Sequence, residues 1–376
     1  MKLYSSSNNT HTCCRVLPKY FILLGSVALL SFWALSIWPQ EQVHYTPVAC
    51  PTVVPLPTVA SPRPVLEYRG VVESMDGIGF KFKEKKPTLF DPRFDSFYSL
   101  PHCDNADWTP ALVINIPQIM EIFRECMRAH VDSFKDNVTL IQYQWEKNVT
   151  ACEEKLDLSQ LTIDGFKNQH ETKWAVMPKC MENHMMVTFG IGHEVSAETK
   201  LNITLPNVTF YGADPIIEPN IQLYSAFGRF FPFAVGKSSG TGRFKVLPNQ
   251  NQRTREYTYQ DVTTIEVIYV LKEIMKVTWI DFFWIDIEGG EMQFLDYFFK
   301  GGQFDQHGIT ICQFNVEMHS DYVENGAQKF YEFVDQLVKD GRYIFMRPGW
   351  TGVGVTRLFF LNMEDPKCVK KYFSSS

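Results

Sequence analysis

From residue 185 onward, short apolar runs alternate with stretches in which apolar residues recur at helical spacing. The runs predict strands over 185–189, 208–211, 230–235, 279–287, 309–316, 343–346 and 355–361, with helices between them at 265–275, 291–299 and 327–338. Strands and helices in this alternation predict an α/β domain: a doubly wound, Rossmann-like, mostly parallel seven-stranded sheet whose last two strands form a hairpin at one edge. Upstream, 116–129 reads as an amphipathic helix inside a mixed region, 66–180, whose chemistry the pattern does not disclose.

A different pattern opens the chain. Residues 20–38 form a run of nineteen without a charge, which as a helix spans about 28 Å, close to the hydrocarbon thickness of a bilayer. Lys2, Arg15 and Lys19 precede it, Glu41 is the first charge after it, and Tyr20, Trp33 and Trp38 suit the interfaces. The run exceeds a signal-peptide core and no small-residue cleavage site follows closely, so a retained transmembrane signal anchor is expected. The prolines at 39, 47, 51, 55, 57, 62 and 64 then favour an extended stem. The expected organisation is a cytosolic tail (1–19), the anchor (20–38), the stem (39–65), an N-terminal lumenal region (66–180) and the α/β domain (181–376). That organisation is the one expected of a type II membrane protein facing the lumen of the Golgi or another secretory compartment.

Composition bears on that expectation in two ways. Asn-x-Thr sequons at Asn137, Asn148, Asn202 and Asn207 fall on the lumenal side. Beyond the stem stand Cys103, Cys126, Cys152, Cys180, Cys312 and Cys368, an even set in a compartment that permits disulfides, with fifteen possible pairings. Cys312 lies in an apolar run, where a buried thiol is the simpler reading. The net charge of -6 and the lack of a basic block speak against nucleic-acid binding. No Cys-x-x-Cys pair or His/Cys cluster suggests a structural zinc, and no metal is expected.

In a sheet of this kind, ligands bind beyond the carboxyl ends of the strands. The first strand is followed by Gly190-Ile191-Gly192-His193, a turn that lets backbone approach a ligand, with the third glycine of a dinucleotide fingerprint replaced by Val195. Asp214 follows the second strand and is placed to accept from ribose hydroxyls, or alternatively to cap a helix beginning near Pro219 or form a turn with Pro215. The stretch 281–291 carries Asp286 and Glu288 at a strand end, then two glycines and Glu291. Capping of the helix expected at 291 accounts for part of this pattern. It leaves two desolvated acids that need a ligand, a metal or a shared proton. Glu317 and His319 end the next long strand and could take a proton from an alcohol, His319 being the better-tuned base near neutral pH.

The segment Asp286-Ile287-Glu288-Gly289-Gly290-Glu291 resembles the strand-four signature of the FkbM-type S-adenosylmethionine-dependent methyltransferases, and the Gly-Ile-Gly turn and Tyr211-Gly212-Ala213-Asp214-Pro215 look like that family's cofactor motifs. The resemblance runs from about Val187 to Leu361, and anchor and stem suggest a membrane-bound, nematode-like branch. It implies that Gly190 and Gly192 line the methionine end of S-adenosyl-L-methionine and that Asp214 holds the ribose. Asp286, as a cofactor contact, and Glu288 would lie near the transferred methyl, with Glu288, Glu317 and His319 as candidate catalytic groups. One departure is Phe189, where an acid would precede the first glycine.

The expected activity is O-methylation in the secretory lumen, with glycan hydroxyls as the substrate class that compartment offers. Two rivals remain. One is a glycosyltransferase in which Asp286 and Glu288 hold a divalent metal against a sugar nucleotide. The other is a non-catalytic module that keeps the fold.

Overall fold

The computed structural model describes residues 100–104, 111–205, 207–248 and 256–375, together with a two-stranded ribbon of Gly70–Val72 and Phe82–Glu84. The expected anchor at 20–38 and the stem lie outside the described residues. Among the described residues, no helix is long and apolar enough to cross a membrane.

The main sheet contains β1 (His184–Phe189), β2 (Val208–Ala213), β3 (Arg229–Phe231), β4 (Trp279–Ile285), β5 (Thr310–His319), β6 (Tyr343–Gly352) and β7 (Val355–Asn362). Their spatial order is β6-β7-β5-β4-β1-β2-β3. β7 runs antiparallel to both its neighbours while the other pairings are parallel, so the sheet is mixed. The order reverses at β1 and β4, and a crevice opens beyond the strand ends where it does.

Side-chain alternation gives each face of the sheet its own chemistry. Phe283, Phe314, Phe360 and Phe345 lie in register on β4, β5, β7 and β6. They stack with one another and with Phe298 and Phe333, so this face is an aromatic core. One residue along, Thr188, Trp284 and Asn315 form the matching row on the opposite face. There the hairpin of Ile163–Lys167 and Thr172–Val176 is held by amide side chains of β5. Asn315 accepts from Trp174 N and donates to its carbonyl, both at 2.7 Å, and Gln313 does the same at Val176 at 2.8 and 3.0 Å.

The helices α1 (Ile116–Ser133), α2 (Ile141–Glu153) and α4 (Gly326–Asp340) are amphipathic and bury their apolar stripes against the sheet. Phe123 of α1 meets Phe345 at 4.8 Å, and Trp145 of α2 meets Phe345 and Phe330 at 5.5 and 5.3 Å. Residues 111–180 therefore share one core with the strands and helices that follow them.

Three local expectations are corrected. The strand expected over 230–235 breaks at Pro232, which has no amide hydrogen to donate; β3 ends at Phe231 and Ala234–Gly236 joins a separate three-stranded sheet with Gly240–Val246 and Thr258–Glu266. The helix expected at 291–299 is two 3-10 turns, Glu291–Gln293 and Leu295–Phe298, so Glu291 has no helix to cap. Cys312 is not a thiol: it bonds to Cys368 on α5 (Pro366–Phe373), alongside Cys103–Cys180 and Cys126–Cys152.

Candidate active site

Beyond the ends of β1, β2, β4 and β5 lies a cavity of about 320 Å³ whose lining includes Gly190, Gly192, Asp214, Asp286, Glu288 and Glu317. Its size is that of a small-molecule site. The three-stranded sheet closes one side with Phe244, Lys245 and Val246, and the 163–176 hairpin brings Glu171 and Lys173 to another.

The two glycines do different work. Gly190 has φ +81° and a Cβ there would overlap the carbonyl oxygen of Asp286, so this glycine is demanded by the neighbouring strand end and not by a ligand. Gly192 has φ +62° and nothing within 4 Å of a Cβ position, so it is the one that leaves room in the cavity. Asp214 ties the turn to β2. Its Oδ2 accepts from the amides of Ile191 at 2.9 Å and Gly192 at 3.2 Å, and its Oδ1 accepts from Ile216 N at 2.8 Å across Pro215. The turn across Pro215 is thus formed, by a side chain that also borders the cavity. Burial pushes its carboxyl up, and the three amides offset this only in part.

Phe189 does not face the cavity. Its ring is buried on the aromatic side of the sheet, edge-on to Phe283 at 4.9 Å. The residue of β1 that reaches the cavity is Thr188, whose hydroxyl lies 3.2 Å from Glu198 on α3 (Ser196–Thr204) and receives the Tyr224 hydroxyl at 3.1 Å. Glu198 does not stand out in the sequence; an acid in the first turn of a surface-like helix carries no signal of its own until its burial is known.

At the β4 and β5 ends the charges are arranged around His319. Glu291, fully buried, accepts from His319 N at 2.8 Å and pairs with Nδ1 at 3.1 Å, while its other oxygen accepts from Gly289 N at 3.0 Å. Nε2 lies 3.6 Å from Glu288 and 3.8 Å from both Asp286 and Glu317. Burial works against the charged imidazole, but the bond to Glu291 and the charges of Glu291, Asp286 and Glu288 outweigh it and push His319 up to about 10. At neutral pH it is an imidazolium, which has no lone pair with which to act as a base. That corrects the expectation of a base tuned near neutrality: a histidine amid carboxylates keeps its proton.

The paired acids are distinguished by their other neighbours. Burial raises both Asp286 and Glu317, but Arg357 Nε at 2.7 Å, with His319 and Lys173, holds Glu317 below the usual range. Burial and the charge of Glu317 together hold Asp286 well above it, so Asp286 is the member of the pair that takes up a proton first as pH falls. Glu288, at φ +52°, is also raised by burial, and faces the cavity near Lys245. Lys173 keeps its charge despite burial because Glu171, 2.7 Å away, and Asp286 and Glu317 surround it. Asp286, Glu288 and His319 do bring ligand atoms within 4.8 Å of one another, as do Glu171, Asp286 and Glu317. In both groups a protein cation already stands among the acids.

A family model of the FkbM methyltransferase domain matches residues 128–345, from α1 into β6. The chain belongs to the FkbM methyltransferase family. No curated protein matches the chain. The FkbM match takes in Gly190, Gly192, Asp214, Asp286, Glu288, Glu317 and His319 and stops short of Arg357 on β7. An S-adenosyl group fits the residues of this FkbM cavity on two structural counts. Trp284 Nε1 and Glu198 Oε2, both on the cavity wall, are buried with no hydrogen-bond partner among the described residues, and Gly192 leaves open space beside them.

Proposed function

We propose that this FkbM domain is an S-adenosyl-L-methionine-dependent O-methyltransferase acting in the secretory lumen on a sugar hydroxyl of a glycan. One observation carries the reading: Gly192, Asp214, Asp286 and Glu288, which come from turns far apart in the chain, border a single cavity at the switch point of the sheet. The family match supports methyl transfer over glycosyl transfer. Three disulfides and the exposed side chains of Asn137, Asn202 and Asn207 support a lumenal setting with an anchor at 20–38.

The Gly190–Gly192 turn would line the cofactor's methionine end and Asp214 would lie at its ribose. When bound, S-adenosylmethionine supplies a methyl already activated by its sulfonium. What remains for the chain is to orient an oxygen nucleophile and take its proton. Glu288 is the group placed for the proton, since it faces the cavity, burial raises its affinity for protons, and Glu317 is committed to Arg357. Asp286, the more readily protonated of the pair, can donate a hydrogen bond to the acceptor once it carries a proton, and His319 holds the acids in place.

Calorimetry of the purified full chain tests this. S-adenosylhomocysteine is expected to bind with a dissociation constant in the micromolar range, and to do so equally after chelation of divalent metals. Binding of a nucleotide sugar only in the presence of manganese would instead favour the glycosyltransferase. Binding of neither would leave a non-catalytic module.

A further inference from the structure

The cavity wall holds a carboxylate that none of these roles uses. Glu198 is 3% exposed, and its carboxylate accepts from the Thr188 hydroxyl at Oε1 and from its own backbone amide. Its Oε2 accepts no hydrogen bond among the described residues. The nearest basic side chain bearing on it, Lys173, has its ammonium 2.7 Å from Glu171. A desolvated anion left in this state is costly unless a cation arrives to pair with it. Thr188 is itself fixed by the Tyr224 hydroxyl, whose ring fits because Gly212 has no side chain to obstruct it, so the carboxylate is held from behind in the cavity wall. On the adjacent strand, Trp284 is in register with Thr188 and presents an indole N–H that is also without an acceptor among the described residues. An unpaired carboxylate and an unpaired donor on one wall are the complement of a free α-amino acid group, with its ammonium and its carboxylate.

We propose that Glu198 receives the α-ammonium of the cofactor's methionine end. This rests on the cofactor reading above and adds to it the residue that recognises the amino-acid portion. Trp284 then offers its N–H to the α-carboxylate on the same wall.

The test compares two probes on the full chain and on Glu198→Gln. S-adenosylhomocysteine carries the amino-acid end; 5′-methylthioadenosine shares the adenosyl portion and lacks it. Glu198→Gln is expected to weaken S-adenosylhomocysteine at least tenfold while leaving 5′-methylthioadenosine within twofold. Its melting temperature at pH 8 should equal or exceed that of the parent, because the variant no longer buries an unpaired charge. Unchanged S-adenosylhomocysteine affinity overturns the proposal, as does an equal loss for both probes or a lowered melting temperature, either of which marks a structural residue. If the parent chain binds neither probe, it is the cofactor reading that fails.

Discussion

His319 and Glu198 both hold a proton more tightly in the folded chain than in water, one because carboxylates surround it and the other because burial deprives its charge of water. The consequences for stability fall in separate pH windows. Glu198 is raised from 4.5 to about 7, so its protonated form favours folding; that contribution is whole below about 4.5 and gone above about 7. Replacing it with Gln should therefore stabilise the free protein above pH 7 by up to roughly 3 kcal/mol. His319 is raised from 6.5 to about 10, so its stabilisation is complete below 6.5 and is lost as pH rises through 10. His319→Gln should cost about 3–5 kcal/mol at pH 7, the range for breaking a buried pair. The parent should show an alkaline decline in melting temperature between pH 8 and 10 that the variant lacks; an identical decline in both would refute the charge assignment. The polar strand ends were legible as chemistry, since Asp286, Glu288, Glu317 and His319 stand out in apolar surroundings. Their protonation was not, because it depends on Arg357 and Glu291, whose approach only the fold decides.

At the scale of elements, the strand most dependent on side-chain chemistry is β5. Its core positions are apolar, yet Gln313 and Asn315 are buried and spend both ends of their amides on the hairpin backbone. Those bonds set Lys173 and Glu171 at the cavity. Asn315→Leu would leave the amide and carbonyl of Trp174 without their present partners, a loss of about 1–3 kcal/mol for each group left unsatisfied. We expect a lowered urea midpoint, together with faster hydrogen exchange confined to 163–176. Exchange accelerating uniformly over the sheet would mean that the hairpin is not separately held. The centre of the sheet was legible because β1, β2, β4 and β5 are largely buried apolar runs, and the β6–β7 hairpin followed from a short connection. The hairpin at 163–176 was not, since its residues alternate weakly and it docks through amides that in sequence look like interruptions of an apolar strand.

For the whole molecule, the single core and its covalent bonds make a joint statement about where the chain folds. Cys103–Cys180, Cys126–Cys152 and Cys312–Cys368 join segments 77, 26 and 56 residues apart. Each closes a loop that the unfolded chain would otherwise explore, and loss of one bridge typically costs about 2–5 kcal/mol. Such bonds persist in oxidising compartments. The sequons offer a test of the proposed lumenal topology: Asn137, Asn202 and Asn207 are exposed and Asn148 is half-buried, so folding does not conceal the acceptors. If 20–38 is a retained anchor with the body in the lumen, the chain expressed in a eukaryotic cell should shift in mobility on glycosidase treatment. It should also stay with membranes after alkaline extraction and be protected from protease in sealed microsomes. Replacing Asn137, Asn202 and Asn207 together with Gln should remove most of the mobility shift without altering protection. Release at alkaline pH with the shift retained would point to a cleaved signal, whereas an unshifted, protease-sensitive chain would place the cavity and its FkbM chemistry on the cytosolic side and remove glycans from consideration as substrates.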